Sequence, residues 1–233
     1  MRSYGQFCPV AKAAEVFCER WTPLIVRDLA VRPMRFSELQ RGVPLMSPTL
    51  LTKRLRQLEA EGIVERKRTD SGRGWLYQLT SSGHEFAPII GQLGTWGQRW
   101  SRRALAEGEV DLGLLVWALE RGVSPDAFGP RRNVVRLELT DQPAHKKFWW
   151  YVNQDGRTEM CVENPGFEIV LYLAASLPDM IYIWRGDLSL SRAIDSGRLE
   201  VDGATRYRRA LKAWLNPHPL TTVKSQRVQA PAV

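Results

Sequence analysis

The chain has 233 residues, 44% of them hydrophobic and 25% charged, an ordinary globular balance that excludes a collagen-like, disordered or purely coiled-coil protein. Its formal net charge is +8, and the excess lies in residues 1–107, with 17 basic and 10 acidic side chains, whereas residues 108–233 contain 16 and 15. A basic domain followed by a near-neutral one indicates that a polyanion binds the first only, although an arginine-rich solvated surface is the alternative.

The beginning of the chain has the patterns of four successive helices. Apolar residues recur at helical spacing over 10–21, and a second apolar helix is expected to follow and to end at Pro33. Ser37 is predicted to cap a short third helix. Ser47, followed by a proline, predicts the start of a fourth helix over residues 48–61.

A β-hairpin and a long helix are predicted next. Residues 63–68 and 75–80 have the composition of strands, and the turn between them is rich in Gly, Ser and Asp. The hairpin is basic, with Arg68 at the end of its first strand and Arg73 in the turn. From Thr80 a helical pattern continues to about residue 100. This order of elements is typical of a winged helix-turn-helix.

The helix over 48–61 has two chemically different sides. Leu51, Leu55 and Leu58 lie within about 60° of one another on a helical wheel and form a core-facing stripe. The opposite side is basic and carries a hydroxyl, as a helix that enters the major groove requires, although an exposed helix can also be basic without binding DNA. The residues predicted to bind DNA, here and in the neighbouring elements, are Ser37, Ser47, Thr49, Thr52, Lys53, Arg56, Arg68 and Arg73.

The segment from residue 6 to residue 103 resembles the HxlR-type transcriptional regulators, within the wider MarR-like group. The matching motifs are Cys8-Pro9-Val10, Trp21-Thr22, Arg35-Phe36-Ser37-Glu38-Leu39, Ser47-Pro48, Leu51-Thr52 with Arg54-Leu55, and Tyr77-Gln78-Leu79-Thr80. The resemblance implies a bacterial, homodimeric winged-helix protein whose partner is double-stranded DNA and which is associated with the nucleoid. The run Phe17-Cys18-Glu19 departs from the family, in which small residues are common there, and should alter helix packing rather than DNA contact.

The second half has an α+β order of elements. A helix is predicted over 112–121, and a helix start is predicted at Ser176. This order is similar to the sterol carrier protein-2 fold, so the expected fold class is α+β, a winged helix-turn-helix followed by a sterol-carrier-like α+β domain. Strands are predicted over 134–140, 148–152, 158–162, 168–173 and 198–203, and helices over 188–195 and 204–215. The expected domains are 1–107 for DNA binding and dimerisation and 108–217 for ligand binding, followed by a mobile tail over 218–233.

Aromatic residues make the second domain a candidate for binding an apolar small-molecule effector. Trp149, Tyr151, Tyr172 and Trp184 are the predicted lining residues. The alternatives are that they form an ordinary core, or that the domain braces a dimer without a ligand. Its near-neutral charge predicts a poor DNA contact.

The remaining chemistry-bearing residues predict no enzyme. Cys8 precedes a helix and is a candidate redox-reactive thiol, with an incidental structural thiol as the alternative. The histidines and the three cysteines lack metal-ligand spacing, and no catalytic motif or cofactor-binding loop is recognisable. The absence of a long apolar run and of a secretory signal predicts a cytoplasmic protein without a membrane partner. The alternative function is a lipid or sterol-like carrier whose basic N-terminal half binds a membrane or a partner.

Overall fold

A computed structural model describes residues 3–69, 72–101 and 103–226. The chain forms two compact units, Met1–Gly97 and Gln98–Val233. The division therefore lies ten residues before the boundary expected at residue 107. The segment after Gly97 makes its contacts within the second unit, where the Leu105 amide donates to the Tyr182 hydroxyl over 3.4 Å.

The first unit has the predicted element order. Its two strands pair antiparallel, with Val64 opposite Leu79 and Arg68 opposite Trp75. The first helix ends earlier than the expected residue 21, and Trp21 has a left-handed backbone with φ of 80°, which a helix cannot continue. The elements are α1 (Pro9–Phe17), α2 (Thr22–Leu29), α3 (Phe36–Gly42), α4 (Pro48–Ala60), β1 (Val64–Arg68), β2 (Trp75–Leu79) and α5 (Ser81–Trp96).

The start of α4 is fixed by its capping residue. The Ser47 hydroxyl accepts a hydrogen bond from the Leu50 amide over 3.2 Å, and proline occupies the first helical turn, so this prediction is confirmed. The prediction that Ser37 caps α3 is wrong. Arg35 occupies the cap position, because the Glu38 carboxylate accepts its amide hydrogen bond over 2.8 Å, and Ser37 lies inside the helix.

The core of the first unit lies between its helices and the hairpin. The stripe of Leu51, Leu55 and Leu58 is fully buried there, as predicted from its helical spacing. Phe86 from α5 and Ile25 from α2 pack into the same cluster. The burial of this stripe determines which side of α4 faces outward.

The second unit is a five-stranded sheet with helices packed against it. Its strand order is β5-β4-β3-β6-β7, and only the central pair β3–β6 is parallel. A register shift in this pair occurs between Val134 and Val135. The elements are α6 (Leu112–Gly122), β3 (Asn133–Leu139), β4 (Phe148–Gln154), β5 (Arg157–Cys161), β6 (Ile169–Ala175), α7 (Leu177–Arg185), α8 (Leu190–Asp195), β7 (Leu199–Asp202) and α9 (Thr205–Leu215).

The two faces of this sheet differ in composition. Val135 pairs with Tyr151 and with Leu171, and all three are buried in the core that also contains Leu211 and Trp214 of α9. Residues one position along each strand point to the opposite face. They include Arg136, Trp150 and Tyr172.

The described part of the predicted tail is ordered against the second unit. Residues Pro219–Thr222 form a 3₁₀ turn, and the Gln226 amide donates to the Arg99 carbonyl over 2.8 Å. Residues 227–233 lie outside the described residues. No helix in the described ranges is both long enough and apolar enough to cross a membrane.

Candidate nucleic-acid interface

The outer side of α4 forms an open groove on the surface of the first unit. Lys53 and Arg56 are exposed there, on the side of the helix away from the buried leucine stripe. Neither cation has a carboxylate partner among the residues that the structure describes. The groove is lined by Thr49, Thr52, Lys53, Arg56, Gln57 and Ala60.

One basic residue of α4 has a structural role instead. Arg54 is buried, and its guanidinium donates to the Glu19 carboxylate over 2.7 Å and to the Gln57 side chain over 2.8 Å. Because Glu19 lies between α1 and α2, this ion pair joins α4 to the segment that precedes α2. Adjacent basic residues on one helix therefore separate into outward-facing Lys53 and inward-facing Arg54.

The predicted hydroxyl-bearing residues differ in how available their hydroxyls are. The Ser47 hydroxyl accepts the capping hydrogen bond, and the half-buried Thr52 hydroxyl donates to the Pro48 carbonyl over 2.9 Å. Thr49 is exposed, and its hydroxyl has no hydrogen-bond partner in the described parts of the chain. Ser37 is exposed on α3, outside the α4 groove. Thr49 is thus the hydroxyl best placed to contact a ligand of α4.

The wing, the hairpin formed by β1 and β2, also contains an aromatic residue that is not among the predicted DNA-binding residues. The guanidinium carbons of Arg66 and Arg68 lie 4.9 and 5.1 Å from the centroid of the Trp75 ring. Trp75 is 41% exposed and stands directly opposite Arg68. The available signal was the alternation of arginines along β1, which places Arg66 and Arg68 on one face of the hairpin.

Arg73 lies at the tip of the wing. Its side chain is exposed, and its carbonyl accepts a hydrogen bond from the Thr69 hydroxyl over 2.9 Å. Asp70 and Ser71, the centre of the predicted turn, lie outside the described residues. Arg68 and Arg73 have no carboxylate partner within the described ranges.

Tyr77 lies beside charged groups from both α4 and the wing. Its pKa is raised, first by burial and then by the Glu59 carboxylate, whereas Arg66 and Arg56 act in the opposite direction. Glu59 also forms an ion pair with Arg66 over 3.4 Å. The phenol therefore stays neutral at physiological pH. Its electrostatic neighbours come from both α4 and the wing.

The aromatic residues predicted to bind a ligand do not all meet. Tyr151 is fully buried, with its ring 5.9 Å from that of Trp214, and its hydroxyl has no hydrogen-bond partner among the described residues. Trp149 and Trp184 pack at the margin of the same core. Tyr172 is on the opposite face of the sheet, 39% exposed, with the Arg136 guanidinium over its ring at 5.5 Å.

The cysteines occupy three separate places. Cys8 is half-buried at the N-cap of α1, where its side chain makes no capping hydrogen bond, and its redox role stays a prediction. Cys18 is exposed. Burial raises the pKa of the half-buried Cys161 thiol, and Glu159 and Glu120 add to the effect. No cluster of potential metal ligands occurs within the described residues.

Comparisons with known proteins match the first part of the chain. The family model described as HxlR-like helix-turn-helix matches residues 16–105. The HTH-type transcriptional regulator YvaP of Bacillus subtilis is 36% identical over 98 residues, which are 41% of this chain and 91% of that protein. The regulator YkvN of the same organism is 33% identical over 106 residues, 45% of this chain and 90% of that protein.

Among solved structures, the reduced form of the transcriptional regulator YodB from B. subtilis has 29% sequence identity and a TM-score of 0.36. The match covers 40% of this chain and 93% of that chain. The two regulators YvaP and YkvN are matched over 91% and 90% of their lengths. The matching family model covers the part of this chain that contains α4 and the wing. Through these residues, the chain belongs to the HxlR-like helix-turn-helix family.

Proposed function

We propose that this protein is a DNA-binding transcriptional regulator that reads operator DNA with α4 and the basic wing. The observation that carries the proposal is the two-sided structure of α4, whose leucine stripe is buried while Lys53 and Arg56 face outward without carboxylate partners in the described ranges. The names of the relatives, HTH-type transcriptional regulators, point to the same function.

The chemistry of the outer side of α4 suits the major groove. Arg56 can donate two parallel hydrogen bonds to a guanine edge, and Lys53 can donate to guanine or to a phosphate. Thr49 offers a hydroxyl to a base edge or to the backbone. Arg68 and Arg73 on the wing are placed to contact phosphates, which position the protein without reading sequence.

A homodimer is the second part of the proposal. Ile89, Leu93 and Trp96 are 52%, 52% and 57% exposed, and their spacing places them on one side of α5. Phe7 and Val10, at the start of the chain, are also exposed. An exposed apolar stripe on a helix favours burial against a second copy. Two copies of α4 would then reach successive major-groove segments about 34 Å apart.

For the second unit we propose a sterol-carrier-like α+β domain that modulates DNA binding, either by binding an apolar effector or by bracing the dimer. The order of its elements supports the fold assignment. The burial of Tyr151 against Trp214 favours bracing, because this predicted lining residue is part of the packed core. We also propose a cytoplasmic, nucleoid-associated location, and the proposal includes no catalytic step.

The alternative, a lipid carrier with a membrane-binding basic half, is not favoured. Such a half would need an exposed apolar face beside its basic residues. The apolar side of α4 is buried in the core of the first unit. The exposed apolar stripe of this unit lies on α5, whose residues Ser81–Trp96 include no Lys or Arg, so the basic residues of α4 have no exposed apolar face on their own helix.

The experiment is selection of duplexes from a random-sequence DNA pool by the purified full-length protein. We expect enrichment of a sequence with two related half-sites, and an affinity that falls steeply with salt because many phosphates are neutralised. A double variant, Lys53→Ala with Arg56→Ala, should lose the enrichment, and Arg157→Ala, in an exposed residue of the second unit, should keep it. No enrichment by the unmodified protein would reject the proposed function.

A further inference from the structure

Helix α9 in the second unit is strongly basic. Its sequence, TRYRRALKAWL, contains four basic residues and no acidic residue. They are a quarter of the 16 basic residues of the region 108–233, and without them that region would have 12 basic and 15 acidic side chains. The near-neutral sum therefore conceals a local positive charge. The four residues are Arg206, Arg208, Arg209 and Lys212.

These cations share one side of the helix. Leu211, Trp214 and Leu215 are buried in the core of the second unit. At about 100° per residue, the four cations occupy an arc of roughly 160° on the side of the helix away from these buried residues. All four side chains are exposed. The basic residues thus form one continuous surface, here called the α9 face.

The α9 face is not neutralised by neighbouring carboxylates. None of its four cations forms an ion pair within the described ranges, and the Arg206 guanidinium instead contacts the adjacent Tyr207 hydroxyl over 2.7 Å. The turn Pro125–Phe128 packs against α9 and contributes one carboxylate, Asp126, which forms no ion pair with these four side chains. Other cations of the unit are paired with carboxylates, namely Arg136, Lys147, Arg185 and Arg198.

Unpaired like charges at this spacing repel one another. Arg206 and Arg209 are three positions apart, and Arg208 and Lys212 are four apart, so each pair is adjacent on the helix surface. A polyanion would remove this repulsion and would release its own counterions on binding. The arrangement therefore fits a ligand with several closely spaced negative charges.

We propose that the α9 face is a second DNA-binding surface, which contacts backbone phosphates outside the sequence read by α4. This inference rests on the proposed function, because α4 and the wing would hold the chain on DNA and so raise the effective concentration of duplex near α9. A membrane is a poorer partner, because the apolar side of α9 is buried in the core and is not available to enter a bilayer. Arginines and lysine in this arrangement bind phosphate without sequence preference.

The test compares two triple variants of the full-length chain, each of which removes two arginines and one lysine. Glutamine replaces each cation because it is a good helix former. The control removes the same net charge from exposed residues of the same unit that lie on other elements and have no side-chain partner in the described ranges. The α9 variant is Arg208→Gln, Arg209→Gln and Lys212→Gln, and the control variant is Lys146→Gln, Arg157→Gln and Arg192→Gln.

Binding is measured with random-sequence duplexes of about 20 and about 60 base pairs over a range of salt concentrations. We expect the α9 variant to bind the longer duplex roughly tenfold more weakly at physiological salt, with a salt slope shallower by about 0.9 for each phosphate that the variant no longer neutralises. The control variant should change both quantities much less. Equal effects of the two variants, or no effect of the α9 variant on the longer duplex, would overturn the proposal.

Three further measurements separate a DNA contact of α9 from misfolding, from membrane binding and from sequence recognition by α4. A charge-retaining variant, Arg208→Lys, Arg209→Lys and Lys212→Arg, should restore affinity, and failure of this folded variant to do so would overturn the proposal. If the α9 variant loses binding to phosphatidylserine vesicles but keeps its affinity for DNA, the result would overturn the proposed DNA contact in favour of a membrane contact. The sequence enriched from the random pool should be the same for the α9 variant and the unmodified protein. If the unmodified protein enriches no sequence, the proposed function fails, while the comparison on random DNA still decides the role of α9.

Discussion

The guanidinium of Arg54 in α4 donates a hydrogen bond to the carboxylate of Glu19 over 2.7 Å. Lys53 and Arg56, the neighbouring cations of the same helix, face outward. Helix α4 therefore contains one cation that stabilises the fold and two exposed cations that are available to a ligand. Substitutions at these positions should separate stability from binding.

Replacement of Arg54 should destabilise the first unit. Arg54→Ala leaves the Glu19 carboxylate without its partner, and we expect a loss of about 2 kcal/mol in the free energy of unfolding, less than the ~3–5 kcal/mol of a fully buried pair because Glu19 is 31% exposed. Urea unfolding measures the change. Arg56→Ala, the matched control on the outer side, should change stability by at most about 0.5 kcal/mol. Equal destabilisation by both variants would contradict the division of roles.

The recognition helix and the wing should differ in their effect on sequence preference. Lys53→Ala and Arg56→Ala should each cost about 1–3 kcal/mol in binding to the selected DNA and should relax discrimination between sequences. Arg73→Ala should weaken binding to all sequences alike, because a phosphate contact does not read bases. Gel shifts with the selected duplex and a scrambled duplex compare the two. Unchanged discrimination in both α4 variants would show that this helix does not read the bases.

Two glycines of α5 should respond to alanine with opposite signs. A Cβ at Gly83 would lie 2.3 Å from the Ile63 carbonyl oxygen, so Gly83→Ala must displace backbone and should cost about 1–3 kcal/mol. Gly91 has open space around it, so Gly91→Ala should gain up to about 1 kcal/mol of helix propensity. Thermal unfolding of the two variants tests the prediction, and stabilisation by Gly83→Ala would contradict the close approach.

The apolar stripe of α5 should control the oligomeric state. We expect the unmodified protein to have twice the chain mass of 26.6 kDa, and Leu93→Asp to shift it toward the monomer because the carboxylate would be buried without a partner. Size-exclusion chromatography with light scattering measures the mass. His84→Asp, on another side of the same helix, should leave the dimer intact. A monomeric unmodified protein would count against the proposed dimer.

The start and the buried side of α4 could be predicted from the sequence. Ser47 with its following proline marks the start of α4, and the helical spacing of Leu51, Leu55 and Leu58 indicates which side is buried, because both depend on residues close in sequence. The cap of α3 depends on a contact that residue type alone does not indicate. Ser37 has the expected residue type, but the carboxylate of Glu38 already satisfies the amide of Arg35.

The second unit was less predictable because its arrangement depends on pairing between distant strands. Tyr151 and Tyr172 both lie in predicted strands, and the pairing of each with β3 places them on opposite faces of the sheet. The register of the parallel pair, with its shift at Val134, cannot be read from either strand alone. Trp75 was missed for the same reason, since its contact with Arg66 depends on the register of the hairpin.

The position of Trp214 also has a consequence for synthesis of the protein on the ribosome. This residue packs against Tyr151, and its carbonyl accepts a hydrogen bond from the Ser124 amide over 2.7 Å. The core of the second unit therefore stays incomplete until nearly the whole chain has emerged, whereas every element of the first unit precedes residue 98. A nascent chain that stalls before α9 would present a finished N-terminal unit followed by an open sheet with exposed apolar side chains, which is the kind of species that chaperones bind.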